Sequence, residues 1–400
     1  MSQANNWIIR IFLLAMFFSL VAILSYSIQM KRDNIVYRST DSDILDKACS
    51  ALLQGSAQMV WRSAFTLSSM NTTCKEYLTK NHFIREPLSS METDFPLAYI
   101  ITGHKEFEMI ARLFRAIYAP QNMYCIHIDE KAKRELKVSV EKLVNCFPNA
   151  FLSSKAEPVI YAGISRLHAD MHCMRDLISS NMKWKYVINV CGQDFPLKTN
   201  REIIQYLKRF KGKNITPGIL PPDHAKKRTQ FVFREHMDNR KSYVFKTNKL
   251  KSPPPHNITI YFGSAYYALT YEFVRFVLED KLAKDLLEWS KDTFSPDEHY
   301  WVTLNRMPEA PNSMPTAKWE GDLKAIKWRD QNHGGCHGHY VRDICIYGSG
   351  DLKWLIERSS MFANKFEFKS YPPTVECLEQ RLREKALNQS ETTIESSWYF

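Results

Sequence analysis

The sequence predicts an α/β fold built on a parallel sheet flanked by helices. From Phe95 onward, short apolar runs rich in β-branched residues alternate with longer runs whose apolar residues recur at helical spacing. Strand, helix, strand in that rhythm implies parallel strands joined by helical crossovers. An apolar share of 44% over 400 residues is ample for a core, in one large domain or two ordinary ones.

In order, the chain begins with an apolar run over 7–28 whose one charge is Arg10. That run is long enough to span a bilayer core of ~30 Å. No clear small-x-small cleavage site follows it, so an uncleaved signal anchor is expected rather than a signal peptide. The flanking charges leave orientation open, with Arg10 on one side and Lys31 and Arg32 on the other. Four Asn-x-Ser/Thr sequons, Asn71, Asn214, Asn257 and Asn388, suggest a glycosylated lumenal body. The expected layout is a cytoplasmic tail over 1–6, an anchor over 7–28, a stem over 29–94 and a catalytic domain over 95–400. Asp41-Ser-Asp43 sits in the polar stem with no apolar strand before it, so chance explains it better than metal binding.

Strands are expected over 96–102, 123–128, 150–152 and 185–190. Helices are expected over 106–118, 135–146, 166–178 and 200–210, the last capped by Asn200. Ligands of such sheets sit beyond the carboxyl ends of the strands. Asp129, Tyr161 and Asp194 lie near those ends and are candidate contacts, with turn capping the competing role. Residues 211–256 are basic and weakly patterned and read as long loops. A strand over 258–269 and one long helix over 271–289 follow. The C-terminal part holds a strand over 342–347 and a helix over 351–357.

The charge of +11 suggests an anionic partner, but Lys and Arg are scattered, which argues against nucleic acid. Thirteen glycines include no Gly-x-Gly-x-x-Gly and no Walker pattern, so basic side chains must hold any phosphorylated ligand. Nine cysteines fit an oxidising compartment, and none forms a Cys-x-x-Cys pair. His333, His337 and His339 lack a helical i, i+4 pair, and no metal site is expected there.

The stretch Ser295-Pro296-Asp297-Glu298 sets two acids at an expected helix start. It fits a Ser-x-x-Glu capping box with Pro at the first helical position. Glu298 is therefore either a cap or a base for a substrate hydroxyl. Its side-chain direction separates the two roles, and the cleft is expected, with Ser295 capping the helix.

These residues resemble the β-1,6-N-acetylglucosaminyltransferases that make core 2 and I branches. The likeness runs from about Cys49 to the C-terminus. It rests on Tyr124-Cys-Ile-His-Ile-Asp129, Cys191-Gly-Gln-Asp-Phe-Pro196, Gly263-Ser-Ala-Tyr266, Ser295-Pro-Asp-Glu298, Tyr347-Gly-Ser-Gly-Asp-Leu352 and Phe362-Ala-Asn-Lys-Phe366. The resemblance implies a GT-A-type fold, a Rossmann-like mixed sheet flanked by helices, with UDP-GlcNAc as donor. It also implies inversion at the anomeric carbon and no divalent metal or other cofactor. Glu298 is then the base, and Arg342 and Lys365 hold the diphosphate. Thr102, Gly103, His104, Asp129 and Tyr161 fall at the uridine, and Ala265 at a further donor contact. Trp328 matches an acceptor-stacking position, with Asp330 where core 2 enzymes carry Tyr. The implied disulfides are Cys49–Cys377, Cys74–Cys146, Cys125–Cys173 and Cys336–Cys345, leaving Cys191 free.

The departure at Asp330, with Thr216 and His224 in the preceding loop, points away from core 2 acceptors. The expected reaction adds GlcNAc to the 6-hydroxyl of galactose in poly-N-acetyllactosamine chains on glycoproteins and glycolipids. The expected place is the Golgi membrane, single-pass and type II, with no nucleic acid partner. A core 2-type enzyme and a non-catalytic sugar-binding protein are the alternatives. A glycoside hydrolase is disfavoured because Asp297 and Glu298, as helix neighbours, would point about 100° apart.

Overall fold

The computed structural model describes residues 36–37, 49–54, 60–61, 72–238 and 241–399. Its centre is a sheet of β1 (Leu97–Gly103), β2 (Met123–Ile128), β3 (Ala150–Leu152), β4 (Tyr186–Cys191) and, beyond the short strand β5 (Asp194–Pro196), β6 (Ala268–Thr270). The order is β6-β4-β1-β2-β3. The pairs β4-β1, β1-β2 and β2-β3 are parallel, and β6 lies antiparallel on the β4 edge. The expected mixed α/β architecture is thus present.

Alternation along β1 divides the core. Leu97, Tyr99 and Ile101 face one side, which α1 (Phe107–Ile117), α2 (Arg134–Val144) and α4 (Asn200–Lys208) cover. Ala98 and Ile100 face the other, under α3 (Ile164–Ser179), α5 (Tyr271–Glu279), α6 (Lys281–Ser290) and α7 (Tyr300–Asn305). A parallel sheet needs both covers, since its strands are apolar on both faces. The expected single helix over 271–289 is two. Asp280 ends α5, and its carboxylate accepts from Leu282 N–H at 2.8 Å to start α6. Thr199, not Asn200, caps α4 and forms a capping box with Glu202.

A second sheet sits at the β5 side, where β8 (Phe362–Asn364) runs antiparallel to β5 and parallel to β7 (Lys324–Ile326). The C-terminal helix α8 (Pro372–Asn388) packs below it. Segment 72–94, placed in the stem by its polarity, joins the main core through Tyr77 and Phe83. All four disulfides implied by the resemblance are bonded, and Cys191 is free.

Three expectations are corrected. Membrane-spanning Golgi placement is overturned, because no helix among the described residues is long and apolar enough to cross a bilayer. The run over 7–28 lies outside the described residues, as do Asp41, Asp43 and Asn71. Residues 211–256 are not all loop. They form a helix, Asp223–Gln230, and a hairpin of Phe231–Met237 with Ser242–Leu250, whose aromatic and β-branched residues favour strands. Asn214 is no glycan acceptor in the fold, because its side chain is fully buried. Its amide donates to Asn305 Oδ1 and Pro311 O at 3.2 and 2.9 Å, and its oxygen accepts from Thr270 N–H at 3.0 Å. Asn257 and Asn388 are exposed.

Helix α1 is locked to α8 by buried charge. Arg112 donates to Glu379 at 3.0 Å and Glu376 at 3.3 Å, and Arg115 donates to Glu379 at 2.7 Å. Removing Glu379 takes away the carboxylate that both buried guanidiniums share. Glu379→Ala is expected to lower stability by ~3–5 kcal/mol in urea unfolding. A loss under ~1 kcal/mol would show that the cluster relaxes into solvent.

Candidate functional site

The site lies beyond the carboxyl ends of β1, β2 and β4, as the sheet rule requires. Its key loop does not form the capping box that its sequence fits, and Ser295 does not cap the helix as expected. Ser295 adopts φ 49° and makes no side-chain cap bond, and 296–298 is a 3-10 turn that precedes α7. The Glu298 carboxylate instead receives a hydrogen bond from Arg228. It faces a small open pocket lined also by Pro221, Phe262, Phe294 and His299. Of the two roles the sequence left open, the cap is excluded.

Burial raises the Glu298 pKa, and the Arg228 charge and hydrogen bond oppose that rise. Asp297 is pushed up to about 7, first by burial and then by the Glu298 charge, with Arg166 opposing. The two acids share a setting in which one proton is held more easily than two charges. Arg166 donates to Asp170 at 2.5 Å, and Asp170 accepts from Asn189 and Tyr267 at 3.1 Å each. Asn189 also donates to Ala265 O at 2.9 Å, which fixes the backbone where a donor contact was expected.

The expected donor residues gather around one wall. Arg342 stands 4.2 Å above the ring centre of Tyr161, which is 64% exposed. Arg342 does not begin a strand, as its sequence position suggested. It occupies a two-residue turn with Asp343, both at positive φ (51° and 62°), between His339–Val341 and Ile344–Ile346. Neither Arg342 nor Lys365 forms an ion pair among the described residues. Burial lowers the Lys365 pKa, while Cys191 raises it and Arg342 lowers it further. His104 is lowered by burial and then by Lys105, and it also feels Asp129 and Lys365. Asp129 binds both the backbone N–H and the ammonium of Lys131, at 2.9 and 3.0 Å. Thr102 and Gly103 end β1 beside it, and a Cβ at Gly103 would come within 2.7 Å of Ile110.

Direct contacts join this wall to Glu298. Ser295 N–H donates to Ala162 O at 2.8 Å, next to Tyr161. On the other side, Trp328 bridges to Ile344, and Arg329 N–H donates to Asp343 O at 2.8 Å. Trp328, exposed at its indole, therefore stands beside the Arg342 turn, with Asp330 exposed nearby. Asp194 is not at the surface. It lies fully buried, paired with Lys324 and accepting from Asn364 at 2.7 Å. The three histidines have separate partners: His333 meets Trp328 O, His337 meets Asp351 and His339 meets Tyr371. Among the described residues one group has metal-ligand spacing, Cys336, Cys345 and Asp351, and its two sulfurs are bonded to each other.

Arg228, Arg166 and Lys131 were not anticipated. Arg228 sat in a basic run read as loop. The Asp129-x-Lys131 spacing and the i, i+4 spacing of Arg166 and Asp170 offered local signals.

The Core-2/I-Branching enzyme family model matches residues 97–356. The chain is 61% identical over 364 residues to a mouse N-acetyllactosaminide β-1,6-N-acetylglucosaminyl-transferase, covering 90% of each. It is 56% identical over 400 residues to the human protein of that name, covering 99% of this chain and 100% of that one. A human "probable β-1,3-galactosyl-O-glycosyl-glycoprotein β-1,6-N-acetylglucosaminyltransferase 7" is 51% identical, covering 89% and 86%.

A raised carboxyl pKa means that the folded chain binds more protons than the unfolded one between about 3.8 and 7, so Asp297 costs stability as pH rises through that window. Asp297→Asn is therefore expected to unfold at higher urea than the unaltered chain at pH 8, with the gap closing toward pH 4. A gap independent of pH would show that Asp297 titrates normally.

Proposed function

The chain belongs to the Core-2/I-branching enzyme family, and from that premise we propose that it transfers GlcNAc from UDP-GlcNAc to the 6-hydroxyl of galactose in N-acetyllactosamine chains. The fold is taken as GT-A-type, with residues 95–400 as the catalytic unit. One observation carries the reading: Glu298, released from helix capping, turns its carboxylate to an open pocket, on a turn whose Ser295 is bonded to Ala162, the neighbour of the Tyr161 ring on which Arg342 lies.

Glu298 accepts the proton of the galactose 6-hydroxyl as that oxygen attacks the anomeric carbon. The attack comes from the face opposite UDP, so an α-linked donor gives a β-linked product in one displacement. The bond to the UDP oxygen breaks and its electron pair leaves with the diphosphate. Arg342 and Lys365 stabilise that charge, and need no divalent metal to do so. An Arg offers a planar fork of donors suited to phosphate oxygens, and Lys365, partly buried, meets less competing water. Tyr161, Asp129 and the 102–104 backbone hold the uridine, and the Ala265 backbone adds a donor contact. The Trp328 indole stacks on the acceptor sugar, with Asp330 at its edge. The Arg228 charge opposes the rise that burial imposes on the Glu298 pKa, and so favours the ionised form that a base needs.

Glu298→Gln is expected to lower kcat by about 10³-fold or more while UDP affinity stays within about threefold in calorimetry. Substantial turnover by that variant would remove Glu298 from the reaction. Arg342→Ala and Lys365→Ala are each expected to weaken UDP binding about tenfold or more. Activity is expected to persist in excess EDTA, and its loss there, reversed by added metal, would overturn the two-cation reading.

A further inference from the structure

The hairpin that follows Arg228 carries an exposed aromatic face which the chemistry above leaves unused. Its register pairs Tyr243 with His236 and Phe245 with Arg234, so these four side chains share one face. The rings form a ladder. His236 and Tyr243 lie 5.0 Å apart between centres, and Tyr243 and Phe245 lie 6.2 Å apart. Tyr243 is 46% and Phe245 42% exposed. The opposite face is spent on the protein. Phe233 rests on Phe294 at 5.4 Å, and Glu235 reaches Ser165 N–H at 3.5 Å.

The root of the hairpin is fastened to the reaction centre. Phe233 N–H donates to Asp292 O at 2.8 Å, and Phe294 N–H donates to Arg228 O at 3.0 Å. Arg228 itself holds Glu298. With a rise of ~3.4 Å per residue, Phe245 stands about 3 Å and Tyr243 about 10 Å beyond the Phe233 pair along the ribbon. The ladder lies on the ribbon face opposite Phe233, so a ligand seated at Glu298 meets it only by extending past the hairpin root.

The geometry points to a second acceptor subsite, in which Tyr243 and Phe245 stack on the neutral repeats of a lactosamine chain beyond the reacting galactose. This rests on the reaction proposed above. Sugar C–H faces are apolar and slightly positive, and they match the negative faces of aromatic rings. Arg234, exposed beside Phe245, offers donors to the hydroxyls at the sugar edge. The subsite makes chain length a determinant of acceptor choice, and it adds binding energy away from the reacting bond.

The test compares acceptors of one and of four lactosamine units with the full chain and with Tyr243→Ala/Phe245→Ala. The variant is expected to raise KM for the four-unit acceptor about tenfold, with kcat/KM for the one-unit acceptor within about twofold. Tyr243→Phe/Phe245→Tyr, which keeps both rings, is expected to restore the long-chain KM. Equal losses on both acceptors, no loss on either, or an unaltered chain indifferent to length would each overturn the subsite. A changed oligomeric state in sedimentation with unchanged kinetics would assign the face to a copy of this chain and overturn it as well. Failure of the unaltered chain to modify either acceptor would overturn the proposed reaction itself, which separates the two outcomes.

Discussion

A single buried carboxylate holds the floor of the site in place. Asp170, fully buried in α3, binds Arg166 on its own helix, Asn189 on β4 and Tyr267 before β6. A charge at that depth is tolerable only when paired and hydrogen-bonded. Every partner that satisfies it is therefore pinned to one position. Asn189 passes the constraint on, since its amide N–H₂ also fixes Ala265 O while its oxygen accepts from Tyr267 N–H at 2.9 Å. Arg166 passes it to Asp297, whose charge it favours against burial and against Glu298. Helix, sheet edge and acidic loop are thus registered by one group that itself touches no ligand-facing surface.

The main sheet was legible because each of its strands is a short apolar run closed by a turn, a local signal. The four cysteine pairings came through resemblance, as did the role proposed for Glu298, since neither is encoded within a few residues. Ser295-Pro-Asp-Glu298 shows where local rules stop. The sequence satisfies the capping-box pattern, yet Ser295 N–H is engaged by Ala162 and Glu298 by Arg228, so tertiary partners outbid the local one. Residues 211–256 failed differently. The hairpin there has one exposed face and irregular pairing near Lys246, so its alternation is diluted by charges on both sides. Asn214 failed because a sequon says nothing about burial.

The electrostatics of the two walls are opposed, and the opposition suits the reaction proposed. On the wall that holds Tyr161, neither Arg342 nor Lys365 forms an ion pair among the described residues. Across from it, Arg228 opposes the rise that burial imposes on the Glu298 pKa. An anionic ligand at the first wall compensates charge that the fold leaves open. Protonation at the second would release Arg228 from its partner. The interior cations behave otherwise. Lys324 and Lys327 are buried against Asp194 and Asp351 and have no capacity left for a ligand. The net charge of +11 is therefore a poor guide to binding, because what matters is which cations lack an acid within reach.

Three left-handed non-glycine residues meet at the same place. Ala162, Ser295 and Arg342 adopt left-handed φ of 63°, 49° and 51°, although none is glycine. Each such residue costs roughly 1–3 kcal/mol and persists only where its surroundings over-determine it. Here the surroundings can be named. Ser295 N–H closes on Ala162 O, and Arg342 lies over Tyr161, the neighbour of Ala162. The three strained turns thus brace one another across the cleft, from the C-terminal hairpin to the loop before α3 to the acidic turn. A relaxed turn at Ser295 would point its N–H elsewhere and let the Ser-x-x-Glu pattern form the cap that its sequence prefers. The strain is what keeps Glu298 out of its own helix end and facing the cavity.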